Sequence, residues 1–147
     1  MKKIEHIGIA VRNMDTANTL YTKLLGVEPY KTETVESEKV KTSFFRVGES
    51  KIELLEATDP DSAIHKFIEK RGEGIHHIAF DVDDIKMEIE RLQAEGFTIL
   101  NPEPKQGADG KLVAFLHPKG THGVLVELCQ DTGDGRSAAD RGKNEVI

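Results

Sequence analysis

The chain has 147 residues, 37% of them hydrophobic and 31% charged, and 20 basic against 26 acidic side chains leave a formal net charge of −6. That size gives one domain, or two small halves sharing one core, which can fold without staples. The acidity argues against a general nucleic-acid surface, which would be basic. The single cysteine, Cys129, excludes an internal disulfide and a thiolate zinc cluster. No apolar run is long enough for a membrane span. The opening MKKIEHIGIAV goes straight into an alternating strand pattern rather than a signal or transit segment, so a cytoplasmic location is expected.

Residues 4–11, IEHIGIAV, read as a strand. After the turn at Arg12-Asn13, MDTANTLYTKLLG reads as a helix with Leu20, Tyr21, Leu24 and Leu25 on one stripe and a stop at Gly26. Strands follow at about 27–35, 40–47 and 51–56, separated by turn chemistry such as Gly48-Glu49-Ser50. A further helix is expected at about 61–71, with Pro60 near its start, an Ile64, Phe67 and Ile68 stripe, and Gly72 after it. The pattern then starts again. Residues 75–82, IHHIAFDV, repeat the first strand; Asp83-Asp84 make the turn; DIKMEIERLQAEG puts Ile85, Ile89 and Leu92 on one helix face and stops at Gly96. Strands at about 97–100, 111–117 and 124–129 complete the second copy. The expected organisation is a single α+β domain over 1–130, made of a βαβββ module at about 3–57, a linker helix at about 58–73 and a second module at about 74–130. The tail, 131–147, loses all periodicity and is expected to be polar and disordered.

Successive strand residues point to opposite faces. Ile7, Ile9 and Val11 form the apolar face of the first strand, and His6, Gly8 and Ala10 the other; Ile78, Phe80 and Val82 oppose His77, Ala79 and Asp81 in the repeat. Each copy therefore sets one imidazole away from the helix, followed on that face by a small residue that leaves room beside it. In the last strand of each half Glu53 sits between Ile52 and Leu54, and Glu127 between Val126 and Leu128. A carboxylate in an apolar strand is costly unless paired, hydrogen-bonded or metal-bound. Two imidazoles and two carboxylates related by a pseudo-twofold axis suit one divalent ion such as Mn, Co, Ni, Zn or Fe. His76 shares parity with Ile78 and is expected to be structural, and Cys129 to be a packing residue. No nucleotide-binding glycine loop, nucleophile elbow or zinc-protease helix is present.

The repeat carrying His6, Glu53, His77 and Glu127 resembles the vicinal-oxygen-chelate superfamily, the glyoxalase/bleomycin-resistance/dioxygenase fold, over roughly residues 3–130. The resemblance implies paired βαβββ modules curled into an eight-stranded cup around a metal. Two stretches, 51–85 and 101–130, resemble the methylmalonyl-CoA epimerase family in particular, most specifically in the His117-Pro118-Lys119 turn and the GVLVEL strand after it. On that resemblance His6, Glu53, His77 and Glu127 would be the metal ligands, with Glu127 also the catalytic base. The implied enzyme is an isomerase that inverts C2 of methylmalonyl-CoA between its (R) and (S) forms, with a CoA-thioester substrate, no nucleic-acid or membrane partner, and a homodimeric state. One departure is visible: some epimerases carry a second catalytic glutamate on the strand matching 40–47, where this chain has Thr42 and Ser43 but no carboxylate. Inversion needs a group on each face of the carbon, and pseudo-symmetry offers Glu53 as the second. The alternatives on the same scaffold are a glyoxalase-I-type lyase and a non-catalytic small-molecule binder.

Overall fold

A computed structural model describes residues 1–132. The expectation for the tail therefore lies, apart from Asp131 and Thr132, outside the described residues. The elements run β1 (Lys3–Ala10), α1 (Met14–Leu25), β2 (Lys31–Val35), β3 (Val40–Val47), β4 (Ser50–Ala57), α2 (Ala63–Arg71), β5 (Gly74–Asp81), α3 (Ile85–Ala94), β6 (Lys105–Gln106), β7 (Lys111–Leu116) and β8 (Val126–Asp131).

All eight strands form one sheet in the order β2-β3-β4-β1-β5-β8-β7-β6. Within each half the first strand pairs in parallel with the last, β1 with β4 and β5 with β8, and the remaining neighbours are antiparallel. The halves join where β1 meets β5 antiparallel. This is the α+β cup with two βαβββ repeats that the sequence implied.

The helices start and stop on local chemistry. Asn13 caps α1 by accepting the Thr16 N–H, Ser62 caps α2 through the Ile64 N–H, and Asp84 caps α3 through the Met87 N–H. Ser62, rather than Pro60, thus sets the start of α2. Gly26, left-handed at φ 74°, returns its N–H to the Thr22 carbonyl and ends α1.

Helices α1 and α3 cover one face of the sheet. Under α1 lie Ile9, Val11, Phe45, Ile52 and Leu54; under α3 lie Val82, Ala114, Leu116 and Leu128. Full burial of Phe45 and Leu54 contributes roughly 2–3 kcal/mol each. The α3 stripe is Ile85, Ile89 and Leu92, as expected. The α1 stripe is different: Met14, Ala17, Tyr21 and Leu25 face the sheet, while Leu20 and Leu24 are 55% and 68% exposed. Steps of three and four from Met14 reach Tyr21 and Leu25, and Leu20 and Leu24 each fall one residue, about 100°, off that line. Helix α2 packs Ile64 against Ala10, Val40 and Leu55, with Phe67 and Ile68 beside them.

Three strands differ from the sequence reading, the first because β2 begins at Lys31 rather than 27, after Pro29. The segment 97–100 makes only an isolated bridge, Ile99 with Leu116, and the edge strand forms later, at Lys105–Gln106. Pro102 and Pro104 lack the N–H a ladder needs. The Asn101 side chain substitutes there, donating to the Val113 carbonyl and accepting the Phe115 N–H. The last strand begins at Val126 rather than 124, because the preceding turn holds Gly123 at φ 88°.

A polar bridge ties the second module to the first on the far side of the cup from the β1–β5 ladder. Asp109, in the tight turn before β7, adopts a left-handed conformation (φ 58°) that aspartate tolerates better than most residues. Its carboxylate accepts from the Tyr30 hydroxyl at 2.9 Å, Lys51 Nζ at 3.1 Å and Lys31 Nζ at 3.3 Å, and its backbone N–H donates to Glu33. Burial pushes the Asp109 carboxyl up, but Lys51, Tyr30 and Lys31 hold it below the usual carboxylate range. Such a group stabilises the fold above its unfolded pKa and loses that contribution as the pH falls through its folded one. Asp109→Asn keeps a residue suited to the left-handed backbone and removes the charge. It should destabilise the protein by about 2 kcal/mol at pH 7, a figure already reduced for partial solvent screening. The gap between variant and wild type in urea unfolding should narrow as the pH falls below about 4.

Candidate metal centre

The β1–β5 register assembles the site. Across that ladder Gly8 pairs with His77 and Ala79 with His6; in the parallel pairs Gly8 aligns with Glu53 and Ala79 with Glu127. Each small residue is thus flanked by the imidazole of the opposite module and the carboxylate of its own. One neighbour further out lie Phe44, opposite Glu53, and Phe115, opposite Glu127. A Cβ added to Gly8 would fall 2.1 Å from His77 Cε1, so a larger residue there cannot coexist with the ring in this position.

All four side chains singled out in the sequence converge, and all are buried, His6 and Glu53 at 5% exposure, His77 at 4% and Glu127 at 6%. His6 Nε2 lies 3.0 Å from His77 Nε2, 3.1 Å from Glu127 Oε2 and 3.3 Å from Glu53 Oε1, and His77 Nε2 lies 3.4 Å from Glu53 Oε1. Despite its nearness to His6, Glu127 Oε2 is buried without a hydrogen-bond partner.

The β1–β5 ladder carries a bulge in each strand. Glu5 is the extra residue between the Ile4–Phe80 and His6–Ala79 pairs, and His76 the extra residue between Gly8–His77 and Ile9–Ile75. Parity fails at a bulge, so both side chains reach the imidazole that follows them. Glu5 Oε1 lies 3.2 Å from His6 Nδ1, and His76 Nδ1 lies 2.9 Å from His77 Nδ1. The parity that grouped His76 with Ile78 is broken by the bulge: His76 meets His77 on one side and stacks edge-on against Phe67 of α2 on the other. Glu5 carried no assignment, although it aligns with His76 in the repeat and each precedes its imidazole.

These partners fix what the inner nitrogens can do. Glu5 can only accept from His6 Nδ1–H, and assigning the His77 Nδ1–H to His76 turns both Nε2 lone pairs toward each other and the two carboxylates. Four donor atoms without a proton between them suit a divalent cation, and the orphaned Glu127 oxygen fits the same reading. In the protein alone a proton partly takes that place. Burial pushes the His6 pKa down, but Glu53, with Glu127 and Glu5, outweighs it and holds the ring well above its ordinary value. Burial likewise opposes ionisation of Glu53 and Glu5; His6 draws Glu53 below the usual carboxylate range, and His6 with Lys51 draws Glu5 down to about 2. His76 moves the other way, to about 4, through burial first and then its nearness to His77.

His6, Glu53 and Glu127 line a narrow cavity of about 20 Å³, room for an ion or a water, whose walls also include Glu5, Phe44, Asp109 and Lys111. Lys51, buried behind it, lies 3.3 Å from Glu5 and 3.1 Å from Asp109. The two hydroxyls at the place of the missing glutamate are committed elsewhere, Ser43 donating to Asn18 and Thr42 to the Glu33 carbonyl. Cys129 is fully buried beside Ala79 and Val113, and burial raises its thiol pKa.

Residues 5–115 match the Glyoxalase/Bleomycin resistance protein/Dioxygenase superfamily, and the chain belongs to it. Within it, the chain is 41% identical to the mitochondrial methylmalonyl-CoA epimerase of Dictyostelium discoideum, over 86% of this chain and 76% of that protein. It is 42% identical to the uncharacterised protein YqjC of Bacillus subtilis (strain 168), over 91% and 96% of the two chains. A Streptomyces coelicolor methylmalonyl-CoA epimerase variant, solved in complex with 2-nitronate-propionyl-CoA, superposes with a TM-score of 0.86 at 37% identity, covering 90% of this chain and 96% of that one. These likenesses put the chain in the methylmalonyl-CoA epimerase family.

Gly8→Ala should push the His77 ring out of place with little change in the hydrophobic core. Titration with Co(II), followed by absorbance, is expected to show metal affinity reduced by roughly tenfold or more, while the melting temperature shifts by only a few degrees.

Proposed function

We propose that the protein is a divalent-metal-dependent methylmalonyl-CoA epimerase, interconverting the (R) and (S) forms at C2. His6, Glu53, His77 and Glu127 hold the ion, which is Co, Mn, Ni, Zn or a similar metal. The observation that carries the reading is the buried convergence of the two imidazoles and two carboxylates, with one carboxylate oxygen unpartnered, in a chain of this family.

The proton at C2 lies between a thioester and a carboxylate. The bound ion supplies Lewis acidity for the negative charge that develops on the thioester oxygen as that proton leaves. Glu127, from β8, removes the proton on one face. Glu53, from β4 of the other module, starts this direction protonated from solvent and delivers that proton on the opposite face, after which Glu127 gives its proton to solvent; in the reverse direction the two exchange roles. Their placement on symmetry-related strands gives the two-sided access that inversion requires. Phe44 and Phe115, behind the two carboxylates, limit water at the reacting carbon.

The location we assign is cytoplasmic; no helix among the described residues is long and apolar enough to cross a membrane. The assembly we assign is a homodimer, supported by the exposed Leu20, Leu24 and Val27 at and just beyond α1, which a second copy would cover.

Metal-loaded protein in deuterium oxide should wash deuterium into C2 of methylmalonyl-CoA, and chelation should abolish this until a divalent ion is restored. No exchange by the loaded protein would overturn the function. Glu127→Gln, checked to retain metal, should lose roughly 10²–10⁴-fold in interconversion. Glu53→Gln should still exchange the proton of one epimer but interconvert the two at least about 10²-fold more slowly. Undiminished interconversion by Glu53→Gln would make Glu53 a ligand alone.

A further inference from the structure

The cavity wall is rich in carboxylates, yet it contains a lysine. Lys111, the first residue of β7, is 5% exposed and lines the cavity together with Glu5, Asp109 and the two inner glutamates. It shares its strand face with Val113 and Phe115, the face that meets Cys129 and Glu127 of β8. The ammonium is near enough to Glu5 to help lower that carboxyl's pKa.

The acids in the wall already have cations. Glu5 has Lys51 at 3.3 Å, and Asp109 has Lys51 at 3.1 Å and Lys31 at 3.3 Å. Glu53 and Glu127 would be neutralised by a divalent ion. Among the described residues the Lys111 ammonium makes no hydrogen bond, and its one ion pair is a long one of 3.8 Å, to the half-exposed Asp131 at the rim. Lys51 is shared by Glu5 and Asp109, and Lys31 by Asp109 and Glu33, the latter at 3.4 Å, which leaves Lys111 as the ammonium at the wall without a close carboxylate among the described residues. A buried ammonium without a good acceptor is costly, and an anionic group brought in by a ligand would relieve it.

We infer that Lys111 is a specificity-determining residue that receives the free carboxylate of the acyl group, so that the site selects dicarboxylic acyl thioesters over simple ones. This rests on the proposed epimerase function and adds to it the group that recognises the substrate's charge. The carboxylate oxygen turned away from the reacting centre accepts from Nζ, and the lysine gains a close acceptor. A thioester without that carboxylate leaves the lysine unsatisfied and forgoes the gain.

The test compares malonyl-CoA with acetyl-CoA, which differ by the carboxylate alone, in calorimetric titrations of the metal-loaded protein. Wild type should bind malonyl-CoA the more tightly. Lys111→Met should lose roughly tenfold or more of its affinity for malonyl-CoA and stay within about twofold of wild type for acetyl-CoA. Lys111→Arg, which keeps the charge, should recover most of the preference and covers the case in which the methionine variant fails to fold. Three results would overturn the inference: an unchanged preference in Lys111→Met, an equal loss for both thioesters, or a matching loss of metal affinity in a parallel Co(II) titration. The deuterium exchange assay reads the epimerase function separately. Wild type that prefers malonyl-CoA but does not exchange C2 would uphold the role of Lys111 in carboxylate selection and refute the reaction.

Discussion

The antiparallel pairing of β1 with β5 carries one extra residue on each strand, Glu5 on one and His76 on the other, and the centre of the molecule depends on that paired irregularity. A regular ladder would turn both residues toward the helices. The two bulges turn them inward, where each holds the Nδ1 of the next imidazole, so His6 and His77 present Nε2 to one another and to Glu53 and Glu127. The rings can approach this closely because the residue opposite each is Gly8 or Ala79. Removing the Cβ at one of these positions is therefore as much a condition of the site as the ligand atoms are.

Pseudo-symmetry supplies the site, and its departures give the two halves different chemistry. Glu5 is an anion braced by Lys51, and it strengthens the donor character of His6. His76, with its pKa lowered to about 4, is a neutral partner for His77, and Phe67 of α2 seats it. The linker helix occurs once, between the modules, so only one of the two rings can receive this support. The second module has its own unpaired feature, the Asp109 turn, which reaches across to Tyr30, Lys31 and Lys51. A duplicated scaffold with unlike braces keeps the four inner side chains equivalent in position and unlike in environment, which would suit the proposed reaction at the two faces of one carbon.

What could be read from the sequence follows the same division. Period-two parity and the repeat identified His6, Glu53, His77 and Glu127, because those residues sit where the ladder is regular. The α3 face was legible for a similar reason: its apolar residues fall on one line, whereas α1 also carries Leu20 and Leu24, which belong to no buried stripe. Glu5 and His76 were hidden because a bulge reverses parity, although their alignment in the repeat, each directly before its imidazole, was a signal available without coordinates. Lys51, Asp109 and Lys111 left no such trace. Lysine at the first positions of a strand and aspartate before glycine are ordinary surface chemistry in a linear sequence. Only closure of the cup, which brings the turn before β7 over β2 and β4, makes them interior charges.

That closure also changes the meaning of the chain's acidity. A net charge of −6 argues against a nucleic-acid surface but describes only the chain as a whole. Yet much of the charge that matters is internal and ordered by distance from the inner nitrogens. The two glutamates nearest them have only imidazoles as cationic partners, whereas Glu5 and Asp109, further out, share a lysine. Carboxylates held together at low exposure are unfavourable unless cations accompany them. A divalent ion at the centre would satisfy the inner pair, and Lys51 satisfies the outer one. With those groups accompanied, Lys111 remains as an ammonium in the inner wall without a close carboxylate, and an anionic acyl group finds a cation there despite the sign of the protein as a whole.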